Sequence, residues 1–314
     1  MNPYLKEYQW SNIFAMINNL KLDPKICNDD FHQKLVVITG ATSGIGYATA
    51  RKYASHGADL FLINRNDKRS EELCNGLSCE FNIHCDYFIA DFMKLSDIHS
   101  AAKQLASLER NIDVLIHNAG IYLTKRTVTE DGLEAVFQVN YLSTFILNYY
   151  LLEKLKTQNK GRILFVNSEA YRFAVSGLRF DDLFWEKRPY SGLKSYGAAK
   201  LAQLLSMILF HEHFKGTGIT INAMHPGNVK TNSGKNNGWL YKKIKSIFID
   251  PFARPVDIAA EAIYYLGVST EVEDISGNFF NLTTVEEPAP PARDKNAAKK
   301  LWKISMDLGG FNGK

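Results

Sequence analysis

The chain has 314 residues, 46% of them hydrophobic, with 37 basic against 33 acidic side chains for a net charge of +4. That length buries a full core, most simply as one large domain with additions at its ends. The basic surplus is mild and dispersed, which leaves no nucleic-acid footprint. No apolar run reaches the length of a membrane span and no signal-peptide pattern opens the sequence, so a soluble cytoplasmic protein in a reducing compartment is expected.

In an extension over 1–33, Trp10, Ile13, Phe14, Ile17 and Leu20 recur at helical spacing up to Asp23-Pro24. An amphipathic helix is expected there, packed on its own domain or on a partner subunit; membrane-surface contact is the less favoured alternative. The β-branched run 34–39 (KLVVIT) reads as a strand that enters a glycine turn, Gly40, Gly44 and Gly46 in G-x-x-x-G-x-G spacing, and then a helix over 44–56. Strand, glycine turn and helix N-terminus together suit a pyrophosphate: the glycines let the backbone approach it, and the helix end offers free N–H groups and a positive dipole end.

A strand over 58–63 ends at Asn64-Arg65. In dinucleotide folds an acid near this point binds the adenosine ribose, whereas an arginine accommodates a 2′-phosphate; the missing acid and the adjacent cation favour NADP over NAD. Cys74, Cys79 and Cys85 cluster around His84 at no zinc spacing, and the four cysteines are expected as buried free thiols. Strands follow over 83–90, ending at Asp91-Phe92, and over 113–117, running into Asn118-Ala119-Gly120, with a helix over 95–108 between them. A long helix over 130–156 contains Asn140, and a strand over 162–167 ends at Ser168.

Over 195–214, apolar residues at helical spacing predict a long helix, on which Tyr196 and Lys200 share a face. A free phenol has a pKa of about 10 and is a poor proton donor at neutral pH. A fixed ammonium beside it stabilises the phenolate and brings proton transfer within reach. A strand over 218–224 then leads into His225-Pro226-Gly227-Asn228-Val229-Lys230-Thr231, and Pro288–Pro291 marks a loop before the last helix. The alternation implies an α/β fold: a doubly wound parallel sheet (Rossmann fold) in a single domain, with the motif residues at the carboxyl ends of its strands.

Six landmarks in order, TGATSGIG at 39–46, HNAG at 117–120, Asn140, Ser168, YGAAK at 196–200 and PGNVKT at 226–231, give the chain a resemblance to the short-chain dehydrogenases/reductases over 34–281. Ser168 and Tyr196 stand 28 residues apart, about twice the usual interval in that family, and Phe180-Asp181-Asp182-Leu183 lies between them. Together with His225-Pro226-Gly227, 276–280 and the tail 297–308, this resembles the retinol-dehydrogenase-like branch, which includes the WW-domain-containing oxidoreductase and has relatives among protochlorophyllide reductases.

The resemblance implies an NADP(H) enzyme in which Tyr196 is the general acid or base, Lys200 lowers its pKa and holds the nicotinamide ribose, Ser168 polarises the carbonyl, and Asn140 positions Lys200 through a water. For the cofactor it implies Gly40, Ser43, Gly44, Ile45 and Gly46 at the pyrophosphate, Arg65 at the 2′-phosphate, Asp91 and Phe92 at the adenine, Asn118 and Gly120 on the adenosine side, and Thr231 at the carboxamide. No metal is implied.

The domain is expected to span 34–290, followed by a C-terminal helix and tail over 291–314. Substrate choice is expected in an insert, 171–195, and in a lid loop, 232–252, where Leu240, Ile244, Ile247 and Phe248 take helical spacing. Aromatics in both segments lean towards an apolar carbonyl or alcohol substrate, such as a retinoid, steroid or lipid. A nucleotide-binding scaffold without turnover and a C=C reductase are the alternatives. Helices around Asn140 and Tyr196 often build homodimer interfaces in the family.

Overall fold

The computed structural model describes residues 3–9, 18–19, 22–229 and 254–312. The amphipathic stretch 10–17 and Leu20, the lid loop 232–252 and Thr231 therefore lie outside the described residues.

The elements run β1 (Leu35–Thr39), α1 (Gly44–Ser55), β2 (Asp59–Asn64), α2 (Asp67–Phe81), β3 (Cys85–Ile89), α3 (Leu95–Ala106) and β4 (Val114–His117). Next comes α4, an unbroken helix made of an α turn (Ala135–Phe137), a π turn (Gln138–Leu142) and an α run (Ser143–Gln158). Then follow β5 (Gly161–Val166), α5 (Gly192–His213), β6 (Ile219–His225), α6 (Val256–Val268), β7 (Phe279–Asn281), β8 (Thr284–Glu286) and α7 (Lys295–Leu308). Among the described residues these strands form one sheet in the order β3-β2-β1-β4-β5-β6-β7-β8. All pairings are parallel except β7–β8, so the expected all-parallel sheet acquires an antiparallel edge.

The central strands are apolar throughout because both faces are covered: β1 is buried at every residue. On one face, side chains of β1, β4 and β5 pack with Ile98 and Leu105 of α3, Phe145 and Leu151 of α4, and Leu201 and Leu205 of α5. On the other they meet Tyr53 of α1, Leu77 of α2 and Ile263 of α6. The chain winds outward from β1 in both directions, which opens a crevice beyond the carboxyl ends of β1 and β4.

Several expectations need correction. The helix expected from residue 130 begins at Ala135, because Asp131-Gly132 makes a turn: Gly132 has φ +78°, Thr129 N donates to Leu133 O, and Val128 bridges Glu134. Cys79 is exposed, since α2 turns Ser70, Leu73, Cys74 and Leu77 inward and leaves it on the outer face; Cys27 and Cys74 are buried and Cys85 half-buried. Helices α2 and α6 and the β7–β8 hairpin have no counterpart among the sequence expectations.

The last helix is part of the core that carries the Tyr196 helix. Leu301 is wholly buried, Trp302 packs edge-on against Phe145 and Phe210, and Tyr141 Oη lies 2.6 Å from Ser305 Oγ. A second copy approaching the α4–α5 flank would therefore meet α7. Leu301→Ala should cost about 2–5 kcal/mol, read as a lowered urea midpoint at unchanged slope; an unchanged midpoint would detach α7 from the fold.

Candidate active site

The glycine turn is built by close approach. Gly40 has φ +72° and Gly44 φ +59°, conformations that L side chains resist. A Cβ on Gly46 would fall 2.3 Å from Gly40 O and 2.5 Å from Asn118 Nδ2. Asn118 Nδ2 donates to Thr39 O and Gly40 O, while the amides of Asn118 and Ala119 both donate to Thr39 Oγ1. Asn64 Oδ1 accepts from Ala41 N at 2.7 Å. These ties hold the turn open at the start of the twelve-residue α1, whose N-cap Ser43 makes no side-chain capping bond. The end of the helix is left to an incoming anion, and the turn fits a pyrophosphate.

Other expected cofactor residues ring the same crevice. Ile45 is buried beneath the turn, and Arg65 is exposed just past the end of β2. Asp91 Oδ1 accepts from Met93 N at 3.0 Å, and the Phe92 side chain is buried in the core, so an adenine contact there would fall to its backbone. Gly120 lies against Asn140: a Cβ there would stand 3.3 Å from Asn140 Oδ1.

Ser168 caps the short 3-10 turn Glu169–Phe173 by accepting from Ala170 N at 3.2 Å. Its hydroxyl proton stays available to a ligand. Asn167, one residue earlier, donates to Lys200 O and to Gln203 Oε1, which locks the end of β5 to the Tyr196 helix. Gly197 completes the junction: a Cβ there would sit 2.4 Å from Ala170 O, so only glycine lets α5 settle onto the Ser168 turn.

Lys200 is 3% exposed, its Nζ donating to Val166 O at 2.8 Å and Gln203 Oε1 at 3.1 Å and lying 5.7 Å from the centre of the Tyr196 ring. Burial pulls its pKa down to about 7, because removing an ammonium from water disfavours the charged form. The half-buried Tyr196 ring meets Tyr122 edge-on at 5.8 Å.

Asn140 occupies the π turn of α4 and is fully buried. Its amide brackets a neighbouring peptide, Oδ1 accepting from Ile121 N at 2.7 Å and Nδ2 donating to Ile121 O at 2.9 Å. The amide is thus committed to the 118–124 loop, and any link to Lys200 falls to the backbone of the π turn. His117 is a neutral core residue: burial lowers its pKa to about 4, and Nε2 pairs with Asn148 Oδ1 at 2.8 Å.

The structure thus brings Asn140, Ser168, Tyr196 and Lys200 together at the carboxyl ends of β4 and β5 through Ile121, Asn167 and Gly197. Sequence reasoning missed Asn167, Gln203, Thr39 and Tyr122. Gln203 had a signal, three residues from Lys200 on one helical face; the others show themselves only through contacts.

Within the insert, Trp185 is buried beneath the Arg188 guanidinium, which stands 3.8 Å over its ring, and Arg126 Nε holds Phe184 O at 2.7 Å. Tyr171 is a core residue, so its aromatic character is spent on packing; Phe173 and Leu193 are exposed.

This fold and constellation define a nicotinamide-dependent oxidoreductase, and the chain belongs to the short-chain dehydrogenase family, whose model matches residues 34–179. Its homologues act on CH–OH and C=O groups. The chain is 34% identical over 284 residues to retinol dehydrogenase 13 of Homo sapiens, covering 88% of this chain and 85% of that one. It is 32% identical over 285 residues to the WW domain-containing oxidoreductase of Danio rerio, covering 89% and 69%. Among solved structures, an uncharacterised protein from Mycobacterium Paratuberculosis superposes with a TM-score of 0.71 at 26% identity, covering 90% of this chain and 95% of that one. Among the described residues no helix is long and apolar enough to cross a membrane.

Gly197→Ala should push α5 off the Ser168 turn and, by displacing Tyr196, lower kcat about 100-fold with a smaller change in cofactor affinity. Full activity in that variant, measured beside wild type, would mean that the junction does not set the site's geometry.

Proposed function

We propose that the protein is an NADP(H)-dependent oxidoreductase that interconverts a carbonyl and an alcohol on a hydrophobic substrate of the retinoid, steroid or lipid kind. The observation that carries this reading is the meeting of the Tyr196–Lys200 helix face with the Ser168 turn. Ser168, its oxygen already engaged by Ala170 N, donates to the substrate oxygen and stabilises the charge that develops there. Tyr196 delivers the proton in reduction and removes it in oxidation. Lys200, when protonated, favours the phenolate and offers its ammonium to the nicotinamide ribose. The bound nicotinamide supplies or accepts the hydride.

The NADP(H) preference rests on Arg65, exposed beyond β2 where no acid stands to bind a ribose hydroxyl. Gly40, Gly44, Ile45 and Gly46 cradle the pyrophosphate with Ser43. Asp91, the Phe92 backbone, Asn118 and Gly120 take the adenosine side, and Thr231 the carboxamide. Asn140 supports Lys200 through a water held by the π turn.

The substrate class is supported by exposed Phe173 and Leu193: Phe173 packs beside Gly197, and Leu193 precedes Tyr196 by three residues, on its face of α5. The similar retinol dehydrogenase 13 is named for a substrate of this kind.

The test is NADPH consumption by wild type and Tyr196→Phe against a panel of retinoid, steroid and aliphatic carbonyls, with product analysis. Wild type should form alcohols while Tyr196→Phe loses at least about 100-fold in kcat. A saturated C=C product would replace carbonyl chemistry with alkene reduction, and NADPH binding with no turnover would leave a nucleotide-binding module. In parallel, Arg65→Asp should weaken NADPH at least about tenfold with little effect on NADH; equal losses for both would remove the 2′-phosphate reading.

A further inference from the structure

Glu134 is a carboxylate in the interior that the chemistry above does not use. It is 1% exposed and sits between the two helices that carry the site. Oε2 accepts from Phe137 N at 2.8 Å and so caps α4, six residues before Asn140. Oε1 lies 3.2 Å from Tyr190 Oη, just before α5 and six residues ahead of Tyr196. The same phenol stands 3.3 Å from Leu123 O, so its single proton is shared between the carboxylate and the 118–124 loop. Ser195, directly preceding Tyr196, places its buried hydroxyl beside both Glu134 and Tyr190, outside hydrogen-bonding geometry. Burial raises the Glu134 pKa, and the surrounding donors pull it partly back.

The 118–124 loop is therefore held at two points. Asn140 brackets Ile121, and the Tyr190 phenol reaches Leu123 two residues on. Between them stands Tyr122, edge-on to the Tyr196 ring. Gly192 tightens the second point, since a Cβ there would lie 2.3 Å from Leu123 O.

We propose that Glu134, acting through the Tyr190 hydroxyl, is a positioning residue that fixes Tyr122 against Tyr196 and so holds the proton donor in its reacting orientation. Burying a carboxylate is costly unless it is bonded, and both of its oxygens are within reach of donors from the elements it joins. A cap alone would need only the Phe137 amide. The second oxygen, aimed at Tyr190, is what ties the start of one helix to the approach of the other. This inference rests on the carbonyl–alcohol reading, in which Tyr196 moves a proton.

The test uses Tyr190→Phe, which removes one oxygen and keeps the ring, and Glu134→Gln, which keeps volume and an acceptor but loses the charge. Hydrogen exchange followed by mass spectrometry reads the mechanical link without any substrate: peptides covering 118–124 should exchange faster in both variants, while those from β1 and β6 stay protected. With a carbonyl that wild type reduces, Tyr190→Phe should lower kcat about tenfold, with KM and NADPH affinity within about twofold. The double variant should be little worse than the more impaired single one, because both changes break one connection.

Unchanged exchange over 118–124 overturns the proposal whether or not a substrate is found. Faster exchange with wild-type kcat overturns the positioning role while leaving the carbonyl reading intact. A silent wild type points instead to failure of the carbonyl reading, and with it removes the proton step that Glu134 is inferred to serve. Additive losses in the double variant would assign the two residues to separate tasks and contradict the link.

Discussion

An ammonium in a nearly dry interior is the constraint on which the site depends. Among the described residues, Lys200 Nζ donates to a backbone carbonyl and a side-chain amide and to no carboxylate. Burial lowers its pKa to about 7. The same lysine can stabilise the Tyr196 phenolate only while it carries a proton, so burial opposes the role proposed for it. Bringing an anionic dinucleotide into the crevice reverses that balance, because negative charge nearby favours the ammonium. In the proposed mechanism the site is poised rather than armed until the cofactor binds, and binding would be coupled to the charge that activates the tyrosine.

Around this lysine the structure works by close contact between backbones. Gly46 lets α1 ride on the Gly40 carbonyl, and Gly197 lets α5 rest on the Ala170 carbonyl. In each case the missing side chain has a stated neighbour it would strike. Polar ties then remove the remaining freedom: Thr39 and Asn118 fasten the glycine turn, Asn167 joins β5 to α5, and Asn140 grips Ile121 from the π turn. A π turn is a tolerated irregularity inside a helix and recurs at functional sites; here it carries a buried asparagine whose amide replaces two peptide partners.

Much of this was legible in the sequence, for physical reasons. Strands buried on both faces appear as continuous β-branched runs, which is why KLVVIT and 162–167 stood out, and helical spacing gave α3 and α5 to within a few residues. The motif residues fell at strand ends because ligands in such sheets bind there. The unread elements have weak local signatures. Helix α2 is largely polar, with only a narrow buried stripe at Ser70, Leu73, Cys74 and Leu77, and β7 and β8 are three residues each. Helix α4 was extended too far back because Asp131-Gly132, a turn signal, sits inside an otherwise helical pattern. Gly197 carries no local signal within YGAAK, since its reason lies in the Ala170 carbonyl, far away in the sequence. The Asn140 amide could not be assigned from spacing either, because its partner is a peptide in another loop.

The most direct measurement of the central claim is proton uptake on NADPH binding, obtained by isothermal titration calorimetry in buffers of different ionisation enthalpy. In the unliganded chain Lys200 is largely neutral at about pH 8, being above its folded pKa. Binding should therefore take up a substantial fraction of one proton there. The uptake should fade as the pH drops below about 6, where the lysine is already charged, and should be absent in Lys200→Met at about pH 8. Binding by wild type without proton uptake at the higher pH, or uptake that survives in Lys200→Met, would contradict the view that the buried ammonium couples cofactor binding to tyrosine activation.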